Sequence, residues 1–468
     1  MKQQKQISRS LDDVARSRLE LHNERNCLAL VVLCFWLLIV VTFTFPGRHG
    51  VSNIAQVDWT AIAKLLSRAV ALLLLVIAAS RMWSTASSGR VFRLLTPIGL
   101  FAAWGLVSAA WSAQPAQSLA QAGCFAELAL LSAVVAVTVR TRRDQSFCLA
   151  HLSLSLLAVS SVLLFALVTL PHLGELQRTN AGDGVAGLLH PTVAASTSSL
   201  GIILLVATRL CTGWQWTRRM LLPGLAIHVS VLWISNTRLA LFLTAAVVAA
   251  LLIGAISSMA RFRLAIAASI IIGGYFALDP HLSLAIQGTE PVLHHLSRDQ
   301  SITDLKGISG RDQIWPVMID SYFDSPVTGH GFYVTSSAGS VRVWNHEGNY
   351  SAHNIWLQVL VTTGLVGLVL FVWGLLRPLN AFLRLPPRDA DPLRGILAPI
   401  GAWLIGWGLL NVSFVAPFQP EAIVFFALLG LIVGRTAISA DSSCHATAVA
   451  ASNGRESRET GNTHGDCQ

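Results

Sequence analysis

Long apolar runs alternate with short polar connections along most of the chain. Twelve runs of about 20 residues can be counted, which is the length that crosses ~30 Å of hydrocarbon as a helix. They cover approximately residues 27–45, 60–80, 94–112, 119–139, 147–170, 192–210, 220–236, 238–258, 262–278, 353–376, 395–413 and 420–435. The pattern predicts an all-α polytopic membrane protein with about 12 transmembrane helices.

One long hydrophilic loop interrupts this pattern between the ninth and tenth spans. It divides the chain into an N-terminal tail (1–26), spans one to nine (27–278), a partly helical loop (279–352), spans ten to twelve (353–435) and a C-terminal tail (436–468). The second tail is rich in Ser, Ala and Thr without periodicity, so we expect it to be disordered. No run has the pattern of a cleaved signal peptide, so we expect the first span to be retained.

Basic residues fall on alternate connections between the spans. Connections rich in Lys and Arg stay on the cytoplasmic side of a membrane. One set of connections holds Arg81, Arg90, Arg93, Arg140, Arg142, Arg143, Arg218, Arg219, Arg261, Arg263, Arg377, Arg384, Arg388 and Arg394, whereas the other set carries few. We therefore expect both termini to be cytoplasmic. The 279–352 loop then faces outward, into the periplasm if the cell is Gram-negative.

Composition supports the membrane assignment and excludes two other classes. The chain is 53% hydrophobic and 12% charged, whereas a soluble domain is about 25% charged. The net charge of +9 does not indicate a nucleic-acid-binding protein, because the arginines cluster at the ends of spans. None of the seven cysteines lies in the long loop, so we expect neither disulfides nor a cysteine zinc site.

A short amphipathic helix is predicted within the long loop. Ser309 followed by Asp312 resembles a helix N-cap with an acidic residue in the first turn. Apolar residues follow at helical spacing: Ile314, Val317, Met318 and Tyr322. Asp324-Ser325-Pro326 ends the pattern and Gly329-His330-Gly331 is typical of a turn. We expect this helix to lie on the membrane surface.

Two arginines on the outer side oppose the charge trend. Arg311 lies in the first turn of the loop helix, where the helix dipole disfavours a cation, and Arg238 lies between two apolar runs with almost no loop. A guanidinium can hold an anionic group with two hydrogen bonds. The alternatives are a surface ion pair of Arg311 with Asp312 or Asp304, and contact of Arg238 with lipid headgroups.

His353 opens the tenth span. The exposed N–H groups at the start of a helix disfavour an imidazolium ion, so we expect a neutral imidazole that can accept a proton. Glu347 is near enough in sequence to orient it. The alternative is a histidine that only caps the helix. His353 also begins a stripe of residues at helical spacing, which consists of His353, Leu357, Leu360, Gly364 and Gly367. The two glycines would let another helix pack closely.

Further charged residues lie within the spans and the loop. Lys64 and Arg68 share a helical face in the second span, and Glu127 lies inside the fourth, so a charge cluster is predicted. Histidines of the loop show no metal-ligand pattern, and we expect no metal: His294, His295, His330 and His346.

Several motifs together resemble the O-antigen ligase and O-antigen polymerase superfamily of bacterial membrane glycosyltransferases. The main one is His353-Asn354, nine residues, then Gly364-x-x-Gly367. Others are Gly310-Arg311 with Trp315, Pro326-x-x-Gly329-x-Gly331, the Arg238 segment and Trp111-Ser112-Ala113-Gln114-Pro115. The resemblance covers most of residues 90–435 and includes the large loop between spans nine and ten.

The resemblance implies a GT-C-like, metal-independent, inverting enzyme of the bacterial inner membrane without a cofactor. It would move a glycan from an undecaprenyl-diphosphate carrier to an acceptor hydroxyl at the periplasmic face. By position, His353 would be the general base or would position the acceptor, while Arg311 and Arg238 would hold the diphosphate. Further substrate-binding candidates are Arg178, His190, Lys64, Arg68, Asn354, Trp315 and Glu347.

Two versions of this activity differ in the acceptor. We expect ligase-type transfer to lipid A-core, and the alternative is a polymerase that extends a growing polysaccharide. The implied partners are the lipid-linked donor, the acceptor, membrane lipids and polysaccharide-assembly proteins, but no nucleic acid.

Two other function classes are also considered. A transporter of small solutes or bicarbonate should have broken helices and polar residues at the membrane midplane, whereas the polar residues here gather at the outer surface. A structural partner in polysaccharide assembly would tolerate alanine at both outer arginines.

Overall fold

The computed structural model describes residues 25–44, 59–82, 88–169, 189–255, 311–332, 352–385, 392–415 and 419–439. These ranges contain helices and no β-strand. The helices are α1 Arg25–Thr44, α2 Trp59–Met82, α3 Ser88–Val107, α4 Pro115–Thr138, α5 Arg142–Thr169, α6 Pro191–Cys211, α7 Gln215–Ser235, α8 Arg238–Ala255, α9 Arg311–Asp324, α10 Ile355–Leu383, α11 Pro392–Leu409 and α12 Pro420–Ser439.

The all-α membrane architecture is confirmed. Every predicted span except 262–278, which lies outside the described residues, overlaps one of these helices. Among the residues described, nine helices are long and apolar enough to cross a membrane, all but α7, α9 and α11. The predicted tails lie outside the described residues, apart from the first residues of α1 and the last turn of α12.

Helix α6 lies at the centre of one half of the bundle. It is 83% buried and packs against α5, α7, α8 and α11. Small residues permit this close packing, because a Cβ atom on Gly201 would lie 2.3 Å from His228 Nε2. The His228 ring is fully buried, with Nδ1 3.0 Å from Ser160 Oγ. The centre of this half is therefore polar as well as tightly packed.

Arginines gather at one end of the described bundle, as the charge pattern predicts. Several satisfy carbonyl groups at helix C-termini, where a cation is favoured. Arg140 Nε donates to Val137 O at 3.0 Å, and an Arg394 nitrogen donates to Leu385 O at 2.5 Å. The opposite end, called the His353 end below, is formed by the C-termini of α3 and α11 and the N-termini of α6, α8 and α10.

Helix α9 begins at Arg311 and ends at Asp324, as predicted, but it does not simply lie on a membrane surface. Ile314 and Met318 are buried, 1% and 0% exposed, in a cluster with Ala352 and Val361 of the α10 region. Val317 is 39% exposed and lies outside this buried cluster, so its prediction as part of an apolar face on the membrane stays a prediction. The helix is docked on α10 through one narrow apolar stripe.

The predicted continuous stripe along α10 is wrong at Gly364. This residue has φ 67° and ψ −171°, which interrupts the helix. A Cβ atom there would lie 2.4 Å from the Val327 carbonyl carbon, so glycine admits the chain segment that follows α9. Gly364 therefore permits a break in the helix, whereas the sequence pattern predicted that this glycine would let a second helix pack closely.

Candidate functional site

Ala352, the residue before His353, is held from two sides. The Trp315 Nε1–H of α9 donates to the Ala352 carbonyl at 2.9 Å. The Ala352 N–H donates to Gln358 Oε1 at 2.8 Å, and Gln358 is fully buried. Trp315 is a predicted substrate-binding residue, whereas nothing in the sequence pattern singles out Gln358. Both side chains fix the backbone that leads into His353.

Asn354, the residue after His353, is the N-cap of α10. Its Oδ1 accepts from the N–H groups of Trp356 and Leu357, both at 3.0 Å. Its Nδ2 donates to the Leu409 carbonyl at the end of α11, at 3.2 Å. The helix thus begins at Ile355, and the alternative that His353 itself caps the helix is wrong.

His353 has a left-handed backbone conformation, with φ 47°. A non-glycine residue in this region is strained by roughly 1–3 kcal/mol and persists only where its surroundings determine the conformation. Both neighbours of His353 are hydrogen-bonded in ways that hold it there. Such strain is found at functional sites, where it contributes to preorganisation.

Arg238 and His190 lie at the starts of α8 and α6, and their neighbouring residues are in contact. Helix α7 ends at Ser235, Asn236 is left-handed with φ 48°, and α8 begins at Arg238. The Thr237 hydroxyl lies 3.4 Å from the Pro191 carbonyl, which ties this turn to the residue after His190. The His190 side chain caps α6, with Nδ1 2.7 Å from Thr192 Oγ1.

Helix α11 connects the two regions. Asn354 reaches Leu409 at its C-terminus, and Gly406 lies against Leu243 of the antiparallel α8. Leu409 lies three residues beyond Gly406 towards the His353 end. At about 1.5 Å per residue, α8 covers the same distance in the three residues before Leu243. The end of α11 is therefore level with the first turn of α8, which contains Arg238.

Arg311 belongs to the same end of the molecule. It begins α9 one turn before Trp315, which is hydrogen-bonded to the carbonyl next to His353. The structure thus brings together the elements that carry His353, Asn354, Trp315, Arg311, Arg238 and His190.

The role of Lys64 and Arg68 in substrate binding stays a prediction. Their helix, α2, makes its main contacts with α1 and α4. Arg68 and Glu127 are close enough to interact electrostatically, as the predicted charge cluster requires. Arg178 and Glu347 lie outside the described residues.

A buried acidic residue at the His353 end was missed. Glu421, in the first turn of α12, is 4% exposed, and its Oε1 accepts from Trp407 Nε1–H of α11 at 3.1 Å. An acidic residue directly after Pro420 at the start of an apolar run is a signal for a helix N-terminus. In the part of the chain that is described, no group of three His, Cys, Asp or Glu side chains is arranged to hold a metal ion.

Replacing Asn354 by alanine should destabilise the protein by about 1–2 kcal/mol, because two N–H groups of α10 lose their cap. Asn354→Asp should retain most of that stability, since a carboxylate still caps but cannot donate to Leu409. Thermal unfolding midpoints in detergent measure both effects. Asn380→Ala, an exposed position on the same helix, is the control, and equal losses for Ala and Asp would contradict the capping role.

Comparison with known proteins gives two matches. Residues 184–372 match the family model described as O-antigen ligase. The exopolysaccharide production protein ExoQ of Rhizobium meliloti (strain 1021) is 26% identical over 202 residues, which are 40% of this chain and 44% of that protein. The chain thus spans less than half the length of this curated relative. The family match, with the relative in support, leads to one conclusion: the region 184–372, which contains His353, Asn354, Arg311 and Arg238, is similar to the O-antigen ligase/polymerase superfamily.

Proposed function

We propose that this protein transfers a glycan from an undecaprenyl-diphosphate carrier to an acceptor hydroxyl at the periplasmic face of the bacterial inner membrane. The observation that carries the proposal is the fixed, left-handed conformation of His353. Its two neighbours are bonded to α9, which begins with Arg311, and to α11, whose end is level with Arg238. These contacts support a site in which one imidazole and two guanidinium groups gather at one end of the bundle.

The proposed reaction is a displacement at the anomeric carbon. The acceptor hydroxyl oxygen forms a bond to that carbon from the side opposite the diphosphate, which inverts its configuration. The bond between the anomeric carbon and the diphosphate oxygen breaks, and its electron pair leaves with the diphosphate. His353 takes the hydroxyl proton as general base, which typically contributes 10²–10⁴-fold.

Negative charge grows on the diphosphate as it leaves. Arg311 and Arg238 are proposed to bind it, because preorganised guanidinium groups stabilise developing anionic charge. No metal ion is required by this scheme. His190 and Arg178 are proposed to line the access route of the donor, and Asn354, Trp315 and Glu347 to position the His353 segment or bind substrate.

Two acceptors remain candidates. The matched family model is described as an O-antigen ligase, which favours transfer to lipid A-core. The similarity to an exopolysaccharide production protein favours the joining of polysaccharide repeat units. Both versions use the same donor chemistry, so the residues at the His353 end serve either one.

The broken helix α10 is a feature that a transporter would share. In a transporter, the freed backbone groups bind the substrate or the coupling ion. In α10, the carbonyl groups of Val361 and Thr362 accept hydrogen bonds from His330 and Gly331. The break is thus filled by protein, which favours the enzyme over the transporter.

Glycan analysis of a strain that lacks this protein tests the proposal and separates its two versions. Full-length polymer left on its lipid carrier would establish a ligase, whereas single repeat units on the carrier would establish a polymerase. An unchanged glycan profile at the cell surface would contradict both versions. Restoration of the profile by the wild-type chain is the control.

A further inference from the structure

The interruption of α10 at Gly364 frees backbone groups that a regular helix would pair with each other. Three carbonyl groups ahead of the break accept hydrogen bonds from elsewhere: Val361 from His330 N–H at 3.2 Å, Thr362 from Gly331 N–H at 2.9 Å, and Thr363 from Trp104 Nε1–H at 2.9 Å. Two N–H groups after the break donate: Leu365 to Pro326 O at 2.9 Å and Val366 to Val327 O at 3.3 Å.

The partner of the broken helix is therefore the 326–332 segment, which directly follows α9. Unpaired backbone groups in hydrocarbon cost several kcal/mol each, according to general estimates. Neither α10 nor the 326–332 segment pairs these groups within itself. The break and the segment stabilise each other, so each requires the other to be in place.

Glycines make this contact possible. The described glycines with positive φ are Gly329, Gly331 and Gly364, and all three lie at this junction. A Cβ atom on Gly329 would lie 2.5 Å from the Gly364 nitrogen, and one on Gly331 would lie 2.5 Å from Ser112 Oγ. Side chains at these positions would force the segment away from α10 and from the connection that follows α3.

Hydrogen bonds join the segment firmly to both the membrane bundle and α9. The Phe332 N–H donates to Ser108 Oγ, just after α3, at 2.8 Å, and the Phe332 ring is 1% exposed. The His330 Nε2–H donates to the Ser321 carbonyl of α9 at 2.7 Å. Helix α9 and the 326–332 segment thus form one unit that is anchored inside the bundle.

We infer that the 326–332 segment and the break at Gly364 form a positioning device, which fixes α9, with Arg311 and Trp315, relative to His353. The inference rests on the proposed function. The Trp315–Ala352 hydrogen bond alone is a single contact at the rim of the bundle. Anchoring α9 at its C-terminal end through the segment restricts how far that contact can move. Ser108 and Gly364 act through α9 and are positioning residues.

Hydrogen–deuterium exchange on the purified full-length protein tests the inference. Ser108→Ala should accelerate exchange in peptides from 314–332 by about fivefold or more, since one buried hydrogen bond is lost. Gly364→Ala should have a larger effect in the same peptides. Exchange in α6 should not change. Glycan transfer should fall at least about tenfold in both variants at normal protein amounts, because misplaced groups lose catalytic orientation.

Matched controls separate positioning from general destabilisation. Ser155 is also fully buried and donates only to its own helix, to Leu152 O at 2.8 Å, so Ser155→Ala should not affect peptides from 314–332. Gly99 has open space around it, so Gly99→Ala should resemble the wild type. Ser108→Thr keeps the hydroxyl and should retain slow exchange and transfer.

Unchanged exchange in 314–332, faster exchange with normal transfer, or equal behaviour of Ser108→Ala and Ser108→Thr would each overturn the inference and leave the proposed function standing. If Gly364→Ala fails to accumulate, the Ser108 variants decide. Normal transfer by His353→Ala, measured in parallel, would instead remove the proposed function.

Discussion

Replacing His353 by alanine is expected to reduce glycan transfer by at least about a hundredfold, the lower bound for loss of a general base. The protein should reach the membrane in normal amounts, because Asn354 caps α10 and the backbone of Ala352 is bonded independently of the imidazole. Surface polysaccharide in a deletion strain that carries the variant, normalised to the amount of protein, measures this effect.

The strained backbone of His353 allows a second variant to be compared with His353→Ala. Glycine adopts a φ of 47° readily, so His353→Gly should be inactive while its unfolding midpoint is equal to or above that of His353→Ala. His151, which accepts a hydrogen bond from Trp36 within the bundle, provides the control, and His151→Ala should retain transfer. Wild-type polysaccharide in both His353 variants would contradict a catalytic role.

The helices could be predicted from sequence because each depends on its own residues. An apolar run of sufficient length forms a spanning helix wherever it packs, and tight connections such as 235–238 follow from two adjacent runs. The cap of α10 was also accessible, since Asn354 directly precedes an apolar run, as N-caps do. The prediction instead placed the first helical residue at His353.

The break at Gly364 could not be predicted in this way. Gly364 and Gly367 agree with helical spacing, and a continuous helix is the local expectation for that run. The helix is broken because the 326–332 segment supplies replacement hydrogen bonds from far away in the chain. Competition between local and distant backbone partners leaves no periodic signal in the sequence.

The site was predicted by residue type and resemblance more than by contacts. The sequence singled out His353, Arg311 and Arg238 because charge or polarity at the outer side opposes the general trend. It gave no information on Gln358 or Glu421, which are buried and act on neighbouring backbone or side chains. The packing of α2, which carries Lys64 and Arg68, against α1 and α4 could not be predicted either, because spacing along one helix does not determine which helices pack together.

Arg311→Ala is expected to reduce glycan transfer by at least about a hundredfold, comparable to the loss of a group that stabilises developing anionic charge. Arg311→Lys should retain part of the activity, with a loss of about tenfold, because an ammonium keeps the charge but cannot form two parallel hydrogen bonds. Stability should change little in either variant, since α9 is held by Ile314, Met318 and Trp315 and by the 326–332 segment.

Alanine substitutions of arginines at the two ends of the bundle test whether the loss of transfer is specific to the His353 end. Arg238→Ala should resemble Arg311→Ala, whereas Arg219→Ala, at the start of α7 and the opposite end, should leave transfer unchanged. Surface polysaccharide per amount of membrane protein is again the measurement. Normal polysaccharide in both Arg311→Ala and Arg238→Ala would favour a structural partner in polysaccharide assembly. An enzyme of the proposed kind would need at least one of these guanidinium groups to stabilise the departing diphosphate.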